Sequence, residues 1–208
     1  MPPDVFLYVA RHGQTSLNAQ RKFRGAADPP LDPTGLKEAQ QLADLFKDIP
    51  LCHIFCSDKQ RSVKTAEIIS KDKGLPITRS AALNALDVGE FSGKKRTHET
   101  EASLQQYLDS PDQKIPGGES LSEFQSRIRP CLEEALHLYL HCGLPVLFVG
   151  HSSVIHEVGT LAKGSHQSVL VEPGGAVAVY YNLTNQKLDA EPIYKPLKSP
   201  RSQAETIT

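Results

Sequence analysis

Two hydrophobic periods alternate along this chain. Short runs of apolar, β-branched and aromatic residues, Val5–Ala10, Cys52–Cys56 and Pro145–Gly150, read as buried strands. Between them, apolar residues recur every three or four positions. A helix is predicted from near Thr34 to about Phe46, with Leu36, Ala39, Leu42, Ala43 and Phe46 on one face. A second follows Ser57-Asp58-Lys59-Gln60, which has the form of a capping box with Ser57 as N-cap. A long one runs from Ser120, boxed with Glu123, to about Leu140, with Leu121, Phe124, Ile128, Leu132, Ala135 and Tyr139 as its stripe. A last helix covers about Val154 to Ala162. A weaker strand lies at about Leu75–Arg79, and two final runs, Ser168–Val171 and Ala176–Tyr181, read as strands flanking the turn Pro173-Gly174-Gly175. Strands alternating with helices predict an α/β fold, a three-layer sandwich with a mainly parallel central sheet flanked by helices. Residues 1–191 are expected to form one domain with a small lid excursion at about 94–118, a polar stretch with weak helical pattern. The Pro-, Lys- and Ser-rich residues 192–208 read as a flexible tail.

Composition narrows the partners. At 208 residues the chain can bury a real core, and 23% charged residues with a net charge of −1 give no electrostatic case for nucleic acid or a membrane surface. Met1-Pro2-Pro3-Asp4 lacks a basic n-region, and the apolar run after it is too short for a signal peptide or a membrane span, so a cytoplasmic location is expected. The four cysteines, Cys52, Cys56, Cys131 and Cys142, fit no zinc or disulfide spacing and read as reduced core thiols. Asn182-Leu183-Thr184 matches a glycosylation sequon, which has no meaning without secretion.

The candidate chemistry lies where strands end. The first strand stops at Arg11-His12-Gly13, the third at Gly150-His151, and Arg61 falls in the first turn of the helix after the second strand. In a parallel sheet these points converge on one edge. A charged pair there is costly to bury without an anion, and Gly13 would let backbone approach that anion closely. Two arginines, two imidazoles and helix N-termini make a pocket for a phosphoryl dianion, and an imidazole is a competent nucleophile toward phosphorus. Thr65 lies one turn beyond Arg61 and faces the same way. His53, His98, His137, His141, His156 and His166 show no metal-ligand spacing, so no metal and no cofactor are expected. Gly150-His151-Ser152-Ser153-Val154 is not a serine-hydrolase elbow, and no Walker A loop or dinucleotide fingerprint occurs.

With these motifs in order, the chain resembles the histidine phosphatase superfamily on its phosphoglycerate-mutase-like branch, from about Val5 to Tyr181. Arg11-His12-Gly13-Gln14-Thr15 with Asn18 carries the signature, Gly25 with Asp28-Pro29-Pro30-Leu31 and Gly35 resembles the loop after it, and Ser57-Asp58 with Arg61 and Thr65-Ala66 resembles the second motif. Pro116-Gly117-Gly118-Glu119-Ser120 and Gly150-His151 complete the set. The resemblance implies His12 as phosphorylated nucleophile, His151 as second catalytic histidine, and Arg11, Asn18, Arg61 and His151 as phosphate ligands. Ser152 is added from its place beside His151, with helix capping as its plainer role, and Gly25 and Glu119 are substrate-side candidates. It implies a metal-independent phosphomonoesterase acting on a small phosphorylated metabolite, similar in the Leu83-Asn84 segment and size to α-ribazole phosphatase-type enzymes, as monomer or homodimer.

One departure matters. The family's proton-donating glutamate falls at Ala85, which has no proton to give. Asp87, two residues on, points to the same side of an extended segment and is the substitute acid to consider, with Glu90 further away. General acid catalysis is worth about 10²–10⁴-fold, so hydrolysis of alkyl phosphates should suffer most. The alternatives are mutase-type phosphoryl transfer, for which residues 94–116 leave little material as a lid, and a catalytically impaired phosphoester-binding module. Ser152-Ser153 and His156 are smaller departures.

Overall fold

The computed structural model describes residues 4–24, 27–163, 171–182 and 187–194. The chain order is β1 (Asp4–Arg11), α1 (Ser16–Ala19), α2 (Pro33–Phe46), β2 (His53–Ser57), α3 (Gln60–Ser70), β3 (Ile77–Ser80), α4 (His98–Leu108), α5 (Leu121–Cys142), β4 (Val146–Gly150), α6 (Ser152–Lys163), β5 (Ala176–Asn182) and β6 (Lys187–Tyr194). Six strands form one sheet in the order β3-β2-β4-β1-β5-β6. The first four run parallel, whereas β5 pairs antiparallel with β1 and β6 antiparallel with β5.

Side chains alternate across the sheet as the pleat requires. Val9, Phe55, Phe148 and Val177 face a core closed by α5 and α6, through Phe124, Ile128, Val154, Ile155 and Val158. Ala10, Ile54, Leu147 and Val149 face the opposite core, closed by α2 and α3 through Leu42, Phe46, Val63, Ala66 and Ile69. These strands are buried on both faces, which is why they read as continuous apolar runs. The connection from β1 leaves through α2 on one face toward β2, while that from β4 leaves through α6 on the other face toward β5. The β1–β4 crevice is therefore the topological switch point, where open α/β sheets bind ligands.

Several local expectations change. The helix after β2 begins at Gln60 with Lys59 as N-cap and no side-chain cap, so Ser57 is not its cap: its hydroxyl is turned to His151 and Asn84 instead. Asp28 takes over the capping duty, its carboxylate accepting from the Gln60 N–H at 3.1 Å. Leu36 is 44% exposed and off the core stripe of α2, whose N-cap is Asp32. Only Cys56 and Cys131 are buried. Cys52 is half-buried at the entry to β2, and Cys142 is exposed as the last residue of α5. The tail does not start at Pro192: Lys187–Tyr194 is an edge strand, a place that tolerates proline. Its polar sequence hid it. Of the run Ser168–Val171, residues 168–170 lie outside the described residues, and Val171 is not in a strand. Residues 195–208 also lie outside them. The Ser120–Glu123 capping box forms as expected, and α6 starts at Ser152, two residues earlier than the pattern predicted.

Candidate active site

Register brings the two histidines together. Arg11 pairs with Gly150 across β1 and β4, and the His12 N–H donates to the Gly150 carbonyl at 3.0 Å, so the next residue on each strand is a histidine. Their rings meet edge to face, 5.1 Å between centroids, and both are fully buried. Beyond them the Gly174 N–H donates to the carbonyls of Arg11 and His12, tying the turn before β5 to the same edge.

The His12 tautomer follows from its partners. Nδ1 lies 2.6 Å from the Gly13 carbonyl, which can only accept, so Nδ1 carries the proton and Nε2 keeps its lone pair. Nε2 meets the Arg24 guanidinium. Burial, then the Arg24, His151, Arg61 and Arg11 charges, push the imidazole well below its ordinary value. Burial, then the Arg61, Arg24, Arg11 and Arg127 charges, push His151 well down in the same way. Its Nε2 lies 2.9 Å from the Ser57 hydroxyl, which donates to Asn84 Oδ1 at 2.6 Å; the hydroxyl proton being committed, His151 donates through Nε2. Its Nδ1 is buried and without a hydrogen-bond partner.

Three guanidinium groups surround the pair. Arg61, fully buried in the first turn of α3, uses Nη1 on Asp28 Oδ1 at 3.0 Å, while Nε and Nη2 are buried without partners. Arg11 donates from Nη1 to the Val171 carbonyl at 2.8 Å, and its Nε is likewise unpartnered. Arg24 reaches in from the loop after α1. Burial is the main force pushing all three guanidinium groups down. Asn18 Oδ1 accepts from the Thr15 N–H, the Thr15 hydroxyl and Arg24, which leaves its amino group as a donor. Clustered cations, unpartnered buried donors and the N-terminus of α3 together demand an oxyanion of high charge.

Beside this anion site opens a pocket of about 290 Å³, whose wall includes Lys59, Arg61, Ala85, Asp87, Glu119 and Arg127. Arg127 is fully committed. Nε and Nη2 grip Glu119 at 2.9 and 2.6 Å, and Nη1 and Nη2 take the carbonyls of Ala82, Asn84 and Ala85. Glu119 also accepts from the Asp87 N–H, and Asp87 Oδ1 caps the Gly89 N–H at 3.1 Å. The sequence-derived residues His12, His151, Arg11, Asn18 and Arg61 thus meet in one place, and Ala85, Asp87 and Glu119 share the adjoining wall. Ser152 opens α6 beside His151, and its neighbour Ser153 accepts from the Leu86 N–H. Gly25 lies outside the described residues.

Two residues carry structural duties of their own. Gly13 is held small by its surroundings. A Cβ there would lie 2.2 Å from the Gly35 carbonyl, so its small size serves the packing of β1's end against α2. Glu119 is bound up with Arg127 rather than presented freely to a substrate. Arg24, Ser57, Lys59 and Arg127 were not singled out for the site. Arg24 sits in a loop without periodicity, and Arg127 reads as an ordinary polar position of α5, so neither carried a local signal.

Fold and site define an α/β phosphoryl-binding protein with paired histidines at its switch point. Residues 7–178 match the histidine phosphatase superfamily (branch 1), and the chain belongs to that superfamily. A probable phosphoglycerate mutase GpmB from Salmonella choleraesuis is 35% identical over 136 residues, which cover 64% of this chain and 63% of the relative. The chain's matched part thus spans less than two thirds of that relative. Among solved structures, a mycobacterial glucosyl-3-phosphoglycerate phosphatase in complex with VO3 superposes with a TM-score of 0.75 at 20% identity, covering 90% of this chain and 97% of the other. The α-ribazole phosphatase of Shigella flexneri superposes with a TM-score of 0.72 at 23% identity, covering 93% and 99%. These two likenesses concern the fold. No helix among the described residues is long and apolar enough to cross a membrane.

Proposed function

We propose that the protein is a metal-independent phosphomonoesterase acting through a phosphohistidine on a small phosphorylated metabolite. The observation that carries this is the His12 ring: buried, kept neutral by surrounding cations, and locked with its Nε2 lone pair at the cationic cluster. Nε2 attacks phosphorus, while Arg11, Arg24, Arg61 and the Asn18 amino group hold the phosphoryl oxygens; His151 joins them by turning its Nε2–H from Ser57 to a phosphoryl oxygen, and Ser152 stands at the same helix N-terminus. Charge that builds on those oxygens meets donors already in place, so little reorganisation opposes the step. The P–O bond to the alcohol breaks as the P–N bond forms. Water then attacks phosphorus, and inorganic phosphate leaves.

Ala85 supplies no proton on the leaving-group side, so substrates with good leaving groups should turn over best. A mutase would use the same groups and return the phosphoryl group to an acceptor alcohol, a reading favoured by the GpmB likeness. Rapid-quench mixing with nitrophenyl phosphate in excess chelator tests the proposal. An acid-labile phosphohistidine that forms and decays at the rate of turnover is the expected result, lost in His12→Asn. Transfer of label to an added alcohol in preference to water would favour the mutase. Phosphate binding without any phosphoenzyme would make the protein a binding module and overturn the reading.

A further inference from the structure

The pocket beside the anion site holds charged groups whose partners differ greatly, and the difference points to one of them. Its carboxylates are engaged as acceptors. Both Glu119 oxygens take Arg127 donors, one of them also the Asp87 N–H, and Asp87 Oδ1 takes the Gly89 N–H. Of the cations, Arg127 spends its donors on Glu119 and three carbonyls, and Arg61 belongs to the phosphoryl oxygens. Lys59 remains. Among the described residues its ammonium has one ion pair, with its sequence neighbour Asp58 at 3.7 Å, longer than a hydrogen bond.

The position of Lys59 is set by the same element that sets the phosphate site. It is the N-cap of α3, its carbonyl accepting from the Ser62 and Val63 N–H groups and its own N–H donating to Ser57 Oγ. Arg61 stands two residues on, so both cations are carried by one helix start. Both line the pocket with Ala85.

We propose that Lys59 is a catalytic residue that takes over the leaving-group role Ala85 cannot fill; the inference rests on the phosphatase reading above. As His12 Nε2 forms its bond to phosphorus and the P–O bond breaks, the electron pair stays on the departing oxygen, and a proton passes to it from the Lys59 ammonium. An alkylammonium is a stronger acid than an alcohol, so the transfer is downhill once the bond has broken. The neutral amine then takes the proton of the water that attacks phosphohistidine, and the ammonium is restored. No oxidant, metal or second substrate enters the balance.

The experiment compares glycerol phosphate with nitrophenyl phosphate on the full chain, because only the first leaving group needs a proton. Lys59→Met should lower kcat/KM for glycerol phosphate by about 100-fold or more, change nitrophenyl phosphate by no more than a few-fold, and leave the inhibition constant for vanadate unchanged. Added ethylamine should restore part of the glycerol phosphate rate to Lys59→Ala, which a merely structural lysine would not allow. Equal losses on both substrates, or none, overturn the proposal. A selective loss in Asp87→Asn but not in Lys59→Met assigns the proton to Asp87 instead. Failure of the wild type to form phosphohistidine from nitrophenyl phosphate would sink the phosphatase reading itself, a different outcome from loss of the leaving-group effect alone.

Discussion

At the scale of single residues, the site is held by groups that dislike their surroundings. His12 and His151 are forced to stay neutral where the unfolded chain would let them protonate. Below the ordinary histidine value of about 6.5 the unfolded state binds protons that the folded state refuses, so stability falls as pH drops. The limit is about 1.4 kcal/mol per pH unit for each histidine. Glu38, whose carboxyl accepts from the Gln14 N–H at 2.6 Å, works in the opposite direction: burial raises it to about 7, and protonation of the folded state offsets part of the loss. Urea midpoints measured from pH 7 to pH 5 should therefore decline, less steeply in His12→Asn and more steeply in Glu38→Gln. A midpoint independent of pH would show that the histidines are not held neutral. Arg24 belongs to the same scale. Arg24→Met removes a charge-assisted contact worth roughly 1.5–3 kcal/mol, so vanadate affinity should drop about tenfold to a hundredfold in an inhibition assay.

At the scale of elements, the end of β1 is wedged into the start of α2. The Cβ of Gly13→Ala would meet backbone, not a side chain that can swing away. Overpacking of this kind costs about 1–3 kcal/mol, and here the displaced segment also carries His12. Loss of stability in urea should be accompanied by a loss of activity at temperatures where the protein is still folded. The helices repeat the lesson. The capping box at Ser120 and the Asp32 cap of α2 are written in adjacent residues and were readable. The cap of α3 comes from Asp28, 32 residues before the Gln60 N–H it serves, and was not.

At the scale of the whole molecule, the net charge of −1 conceals a strongly cationic crevice. Average charge said nothing about the field at the β1–β4 edge, which depends on four segments meeting. An anion that bridges them should stabilise the entire fold. Orthovanadate at about a hundred times its Kd adds about 2.7 kcal/mol, or a rise in Tm of roughly 5–10 °C for a chain of this size. The shift should persist in chelator and shrink in Arg61→Met.

What the chain's own order of residues determined is local and periodic: three buried strands, the helical stripes, the Ser120 cap, and Arg11-His12, Arg61 and His151 at points that a parallel sheet must bring to one edge. Those features depend on neighbours within a turn or on the pleat, so they need no knowledge of the fold. The tertiary structure alone decided that Gly13 serves packing, that Ser57 turns to His151, and that Arg127 binds Glu119 and three carbonyls. It also decided that Lys59 lines the same pocket as Arg61 and Ala85, with only a long ion pair to Asp58. Each of these depends on contacts between groups distant in sequence, where a polar residue in a loop or on a helix looks the same whether it meets water or a buried partner.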